Sequence, residues 1–283
     1  MTPSIDRYAV FGQPIQHSKS PRIHQLFAQQ TGQLLTYVAQ EVPPEQFIEV
    51  TTTFFAEGGK GLNCTVPLKE LAWAYAEHKT ERAQLSKAVN TLVLQANGSI
   101  LGDNTDGYGL VTDLTFNHGV NLHHANILIL GAGGASRGII APLLAQNPAA
   151  MLIANRTPEK AVQLAREFNR PNQLSGCGFA DLAQQHFDII INATSASLSG
   201  QLPPLPANVL VDQGICYDLA YANQATPFVN WGFANGALKS LDGLGMLVEQ
   251  AAEAFYIWRH QRPNSQAVIA LLNAERNLCG VGK

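Results

Sequence analysis

The sequence predicts an α/β protein of two domains, and three features carry that prediction. Apolar, strand-like runs alternate with helix-like stretches in both halves of the chain. A glycine-rich turn, "GAGGAS" at residues 131–136, joins a strand to a helix midway. The length, 283 residues, suits two ordinary domains.

In order, "RYAVFG" reads as a strand and "SPRIHQLFAQQTG" as a helix, with Ser20 as N-cap, Pro21 first inside and Gly32 after its end. "LTYVAQEV" is strand-like, "PPEQFIEVTTTFFAEGG" helix-like, and "KGLNCTVP" a strand that Pro67 must end, since proline cannot donate to a ladder. Helix-like "LKELAWAYAEH" follows. The β-α-β-α-β order predicts a mostly parallel sheet. "VNTLVLQANGSILGDN" interrupts it with two runs meeting at Asn97-Gly98, a strong hairpin signal. "DGYGLVTDLTFNHG" resumes a helix with Asp106 as its N-cap, and a domain boundary is expected near that residue. A second rhythm follows: strands "NILIL", "AMLIAN", "FDIIINAT" and "NVLVDQGICYDLAY", with helices "SRGIIAPLLAQ" and "PEKAVQLAREF" after the first two. Near-continuous apolar strands are those covered on both faces. Two helices, "DGLGMLVEQAAEAFYIWRHQ" and "SQAVIALLNAER", close the chain.

Hydrophobic residues make up 46% and charged residues 14%, enough apolar material for sizeable cores and unlike a disordered chain. A net charge of -3 without basic blocks argues against nucleic acid or an acidic membrane surface as partner. Cys64, Cys177, Cys216 and Cys279 lie far apart, so neither disulfides nor a structural metal is expected and a reducing cytoplasm fits. No signal peptide is read at the N-terminus. The best membrane candidate, residues 125–145, carries Arg137 and four glycines and reads better as strand, turn and helix.

The turn at 131–136 has the context of a dinucleotide site, with its glycines letting backbone amides approach a pyrophosphate at a helix N-terminus. Position 136 is Ser where that fingerprint has Gly or Ala. A simple tight turn is the bland alternative. The next strand ends in "ANRTPEK", where an NAD site would carry an acid for the ribose hydroxyls. Asn155, Arg156 and Thr157 stand there instead, and an arginine fork suits a phosphate dianion. NADP is therefore the expected cofactor, against the alternative that Arg156 is an ordinary solvated charge.

If one domain holds NADP, the other should hold the substrate. Its candidates fall at strand ends and loops: "QHSKSP" with Ser18 and Ser20, "NCTVPLK" with Asn63, Thr65 and Lys69, "VNT" with Asn90, and "GDNTDG" with Asp103 and Asp106. Singly, each has a plain explanation: Ser20 and Asp106 as caps, Lys69 as a surface lysine, Asn90 as a turn residue. As a set, hydroxyls, amides, one amine and one carboxylate suit a polyhydroxylated acid. No H-E-x-x-H, G-x-S-x-G or P-loop supports a hydrolase or nucleotidase. His17, His24, His123 and His124 show no ligand spacing and are expected on the surface or in loops.

Taken together, "FGQPIQHSKSP", "NCTVPLKE", "AVNTL", "GDNTDGYG", "GAGGASRG", "NRT", "INATS" and "DGLGMLVEQAA" resemble, in order, the serial motifs of the shikimate dehydrogenase family. The resemblance runs from about Tyr8 to the final helix, and departs at Cys64, where the family often has valine. It implies an N-terminal α/β substrate domain of residues 1–105 with 243–283, and a Rossmann-like doubly wound NADP-binding domain of 106–242. It also implies roles. Ser18, Ser20 and Thr65 would hold the substrate carboxylate; Asn90, Asp106 and Gln250 the ring hydroxyls; Tyr221 would close on the substrate. Lys69 would be the catalytic acid/base beside Asp106. Gly131, Ala132, Gly133, Gly134 and Ala135 would cradle the pyrophosphate, Asn155, Arg156 and Thr157 the 2'-phosphate, with Leu219 and Gly243 near the nicotinamide. The implied partner is a small molecule alone, with no metal, nucleic acid or membrane, in a monomer or homodimer.

The chemistry explains the odd stretch "LNCTVPLKE". Reducing a ketone needs a hydride from the cofactor and a proton from the protein. A strand whose last side chains face substrate, followed at once by Lys69, can supply that proton. Two rivals stand beside this reading: a quinate/shikimate dehydrogenase of broader substrate and cofactor use, and a non-catalytic NADPH-binding regulatory protein, which would have no use for both Lys69 and Asp106.

Overall fold

The computed structural model describes residues 5–280, with backbone alone for 277–280. By its internal contacts the chain separates into two units: Met1–Gly109 with Leu247–Leu271, and Leu110–Met246 with the chain from Leu272.

The first unit contains β1 (Asp6–Gly12), α1 (Ser20–Thr31), β2 (Leu35–Glu41), α2 (Phe47–Ala56), β3 (Gly59–Cys64), α3 (Lys69–Tyr75), β4 (His78–Lys79), α4 (Glu81–Ser86), β5 (Thr91–Leu94), β6 (Ile100–Asp103) and the start of α5 (Asp106–Thr112). Its sheet runs β2-β1-β3-β5-β6-β4. β1 is parallel to β2 and β3, whereas β5 is antiparallel to both β3 and β6. The reversal comes from the expected hairpin, where the Gln95 N–H donates to the Ser99 carbonyl at 2.9 Å and Gly98 takes φ 87°. Phe11, Phe47, Leu62, Leu68 and Leu92 are wholly buried around this sheet, each worth about 1.5–3 kcal/mol relative to exposure.

α1 begins at Ser20, the expected cap, one residue earlier than its expected start. Lys19 occupies the N-cap without a side-chain bond, Ser20 is already helical, and Gly32 closes the helix at φ 64°. Ser20 is thus freed from capping. Asp106 likewise lies inside the first turn of α5, its carboxylate turned to side chains instead of the helix N–H groups. His24 is not a surface residue: it lies in α1 and is 1% exposed. The face it shares with Ser20, Phe27 and Ala28 points into the unit.

The second unit contains β7 (Asn126–Leu130), α6 (Gly134–Leu144), β8 (Ala150–Asn155), α7 (Pro158–Glu167), β9 (Leu174–Gly178), β10 (Phe187–Asn192), β11 (Leu210–Asp218), α8 (Pro227–Ala234) and β12 (Lys239–Leu241). The chain returns to the first unit within α9 (Leu244–Arg259) and leaves it again within α10 (Ser265–Gly280). The sheet order is β12-β11-β10-β7-β8-β9, every pair parallel. Successive strands step one way from β7 and the other way from β10, so the carboxyl ends of β7 and β10 flank a topological switch point, the usual ligand crevice of a doubly wound sheet. The membrane candidate is β7, turn and α6, with Arg137 paired to Glu167 at 2.6 Å. Among the described residues no helix is long and apolar enough to cross a membrane.

The division differs in detail from the expected one. The first unit ends at Gly109, beyond residue 105, and resumes at Leu247, beyond 243. From Leu272 the chain groups with the second unit, where Arg276 pairs with Asp242.

Candidate active site

The substrate candidates of the first unit meet along one edge of its sheet. β1 and β3 are parallel, Phe11 opposite Cys64, so both end there, and the antiparallel β5 begins there. This edge therefore gathers the loop carrying Ser18, the starts of α1 and α3, Asn90 and the start of α5. Lys69 is the first residue of α3, an unfavourable place for a cation because the helix dipole is positive there.

Asp106 offsets it. The Lys69 ammonium donates to Asp106 Oδ2 at 2.5 Å, with side chains 16% and 9% exposed. Asp106 Oδ1 accepts from Asn90 Nδ2 at 2.8 Å, so both carboxylate oxygens are engaged. Asn90 Nδ2 also reaches Thr105 Oγ1 at 2.8 Å and Gln250 Oε1 at 3.2 Å, while its Oδ1 accepts from the Thr91 hydroxyl and the Thr105 N–H. Lys69, Asp106, Asn90 and Gln250, far apart in sequence, thus form one bonded cluster. A lysine held on a carboxylate and a fixed amide can pass a proton to or from an adjacent alcohol oxygen.

Ser18 and Ser20 lie together, the Ser20 N–H donating to Ser18 Oγ at 3.3 Å. Thr65 follows β3, its N–H bonded to the Phe11 carbonyl at 2.9 Å, and its methyl fills the space that a Cβ on Gly12 would need. Tyr221 belongs to the second unit, partly buried in the stretch after β11. Two further residues, one in each unit, have no sequence motif that singles them out. Tyr37, in β2, bonds Asn63 at 2.7 Å. Asp218 accepts from Ser197, Thr226, Asn192 and the Ala220 N–H, tying "INATS" to the stretch that carries Leu219 and Tyr221. Burial raises the Asp218 carboxyl above its usual range despite those donors. An aspartate at the end of an apolar parallel strand was the available signal.

The cofactor candidates line the carboxyl ends of β7 and β8. Gly131 takes φ 103°, which favours glycine, and its carbonyl accepts the Ser136 hydroxyl at 2.7 Å. That bond gives the departure at position 136 a local purpose: the serine staples the turn to the helix. A Cβ placed on Gly133 or Gly134 would meet no atom within 4 Å, so open space lies before the turn where the first N–H groups of α6 lack helical partners. Asn155 Nδ2 donates to the Thr157 carbonyl at 2.9 Å and shapes the "NRT" turn. Arg156 is exposed and makes no hydrogen bond or ion pair among the described residues. Gly243 donates to the Ala220 carbonyl at 3.0 Å, and a Cβ on it would run into the Leu219 carbonyl. An open glycine turn at a helix N-terminus, with a free guanidinium after the next strand, fits a phosphorylated dinucleotide.

Known proteins resemble this chain along most of its length. Three family profiles match: the shikimate dehydrogenase substrate binding domain over residues 10–92, shikimate / quinate 5-dehydrogenase over 113–199, and the shikimate 5'-dehydrogenase C-terminal domain over 243–272. A shikimate dehydrogenase (NADP(+)) of Methylococcus capsulatus is 60% identical over 271 residues, 96% of this chain and 97% of that one. The chain belongs to the shikimate dehydrogenase family. Among solved structures, an Ael1 enzyme from Pseudomonas putida superposes with TM-score 0.87 at 46% identity, covering 94% of this chain and 98% of that one. The shikimate 5-dehydrogenase of Thermus thermophilus, solved with NADP(H) and shikimate, gives 0.83 at 31% identity over 94% and 98%. The family shares the two-sheet α/β architecture found here, with the Rossmann-like sheet in the second unit.

Proposed function

We infer that this chain catalyses the reversible reduction of 3-dehydroshikimate to shikimate at the expense of NADPH, a CH–OH oxidoreductase step of aromatic amino-acid biosynthesis. One observation carries the reading: a member of this family keeps Lys69 on Asp106 at 2.5 Å, with Asn90 holding the other carboxylate oxygen. A binding protein would have no use for so constrained an amine.

NADPH supplies the hydride when bound. The turn at 131–135 would hold its pyrophosphate and Arg156 its 2'-phosphate, with Asn155 and Thr157 shaping that turn and Leu219 and Gly243 at the nicotinamide end. Lys69 donates a proton to the carbonyl oxygen as it becomes a hydroxyl, and takes it back in the reverse direction. Asp106 holds the amine in place, Asn90 bonds both Asp106 and Gln250, and Asn90, Asp106 and Gln250 bind the ring hydroxyls. Ser18, Ser20 and Thr65 bind the carboxylate, and Tyr221 covers the substrate. The proposal extends to a cytoplasmic setting, supported by the free thiols of Cys64, Cys177 and Cys216, and to a monomer or homodimer with small-molecule partners.

The test is initial-rate oxidation of shikimate and quinate, each with NADP+ and NAD+. Quinate carries an extra ring hydroxyl at the carboxylate-bearing carbon, which a site fitted to a flat alkene edge leaves poorly solvated. Equal efficiency on the two alcohols would replace this reading with the broader quinate/shikimate one.

A further inference from the structure

The stretch "DGLGM", residues 242–246, contains two glycines, and only Gly243 has a part in the proposed chemistry. Gly245 is explained by what lies against it: a Cβ there would strike the carboxylate of Asp113. Asp113 opens a single wide turn, residues 113–117, that continues α5, its carbonyl accepting the His118 N–H at 3.1 Å. Wide turns of this kind are frequent at functional sites.

Asp113 meets a second buried polar group. Tyr217, in β11, donates to Asp113 Oδ2 at 2.7 Å, and the Tyr217 oxygen accepts the Met246 N–H at 3.2 Å. Met246 lies in the first turn of α9, where N–H groups lack helical acceptors. The proton directions are fixed, because a backbone N–H can only donate. The phenol therefore accepts from Met246 and gives its own proton to Asp113. Burial, with Asp113 beside it, holds the phenol well above its usual pKa, so that proton stays in place. Asp113 Oδ1 accepts from Asn117 Nδ2 at 2.9 Å. All of these residues belong to the second unit.

This joint braces the backbone assigned to the nicotinamide end. The glycine turn follows β7 and Arg156 follows β8, which puts the adenosine half of a dinucleotide on the β8 side of the switch point. The nicotinamide half then falls on the side of β10 and β11. Two stretches cross there. The Gly243 N–H bonds the Ala220 carbonyl at 3.0 Å, and Gly243 packs on the Leu219 carbonyl too closely for a side chain. Tyr217 precedes Leu219 by two residues and Met246 follows Gly243 by three. Their bond is a second tie between the crossing stretches, and Asp113 holds the phenol that makes it.

We propose that Asp113 and Tyr217 are positioning residues for the nicotinamide end of the cofactor, holding the first turn of α9 against the end of β11 so that Leu219 and Gly243 present a preformed surface to the ring. The proposal rests on the reading of Leu219 and Gly243 as neighbours of the nicotinamide. Both side chains are wholly buried, so they act through the backbone they hold.

The experiment measures, by titration calorimetry, the affinities of NADPH and of 2'-phospho-ADP-ribose, which lacks the nicotinamide. It compares wild type, Tyr217→Phe and Gly245→Ala, with thermal melts and rates of shikimate oxidation alongside. Tyr217→Phe removes the tie itself, and Gly245→Ala displaces Asp113 while every bonding group remains. Each should weaken NADPH roughly tenfold, the factor of one hydrogen bond, and leave 2'-phospho-ADP-ribose within about twofold. The value of kcat/KM should fall by like factors with NADP+ and NAD+, because the 2'-phosphate site is untouched. Where Tyr217→Phe does not fold, Gly245→Ala carries the comparison. Unchanged NADPH affinity in either folded variant overturns the proposal. So does equal weakening of both ligands in a protein with a lowered melt, which marks a merely structural role. A wild type that binds neither ligand would instead sink the cofactor reading on which the proposal rests.

Discussion

His24 makes folding stability depend on pH with a sign and size that follow from its surroundings. The ring is wholly buried among Phe27, Tyr37, Phe255 and Trp258, and burial lowers its pKa from 6.5 to about 3. Between those values the unfolded chain binds a proton that the folded one refuses, so stability is full above about pH 6.5 and falls as the pH drops toward 3. The slope approaches 1.4 kcal/mol per pH unit, and the accumulated loss at pH 5 is about 2 kcal/mol. His24→Phe keeps an aromatic ring in the stack and removes the titration. Urea denaturation at pH 5 to 8, followed by tryptophan fluorescence, reads this directly, because Trp258 lies beside the ring. Whatever the variant's stability at pH 8, it should gain about 2 kcal/mol on wild type by pH 5. If the two proteins lose stability in parallel over that range, the imidazole is not held neutral by burial and the reasoning fails.

Lys69→Ala should lower kcat by about a hundredfold to ten-thousandfold, the range of a general acid/base, and move the shikimate KM little, because the hydroxyls assigned to the carboxylate are untouched; near-normal turnover would assign the proton to another group. Arg156→Ala should weaken NADP+ by roughly ten- to a hundredfold, the worth of a charge-assisted hydrogen bond, and leave NAD+ alone. Arg156 has no partner among the described residues to lose, so an effect shared equally by both cofactors would contradict its role at the 2'-phosphate.

Periodicity and turn chemistry made most of the fold legible. The alternation of apolar runs marked β1, β2, β3, β7, β8, β10 and β11, and Asn97-Gly98 marked the β5–β6 hairpin. Elements set by tertiary contact were not legible. β4 spans His78–Lys79 only and exists through its pairing with β6. β9 reads "LSGCG", and its glycines suggest a turn; yet Gly176 is there because the Ala161 backbone of α7 crosses where a side chain would stand. The site divides the same way. Ser18, Lys69, Asn90 and Asp106 announce themselves as polar groups at strand ends. Tyr37 fits strand alternation as an ordinary half-buried aromatic, and nothing local shows that its hydroxyl meets Asn63, 26 residues away. His24 carries a readable signal: it sits four residues after Ser20 and three before Phe27, on the buried face of α1.

The central claim is that this fold holds a proton-transfer pair for shikimate and a site for the 2'-phosphate of NADP. The measurement closest to it is kcat/KM for shikimate and quinate, each with NADP+ and NAD+, on the unmodified protein. The account predicts that shikimate with NADP+ exceeds each of the other three combinations by at least roughly tenfold, the worth of one well-placed polar contact. Efficiency with NAD+ equal to or above that with NADP+, or quinate turned over as well as shikimate, would contradict it.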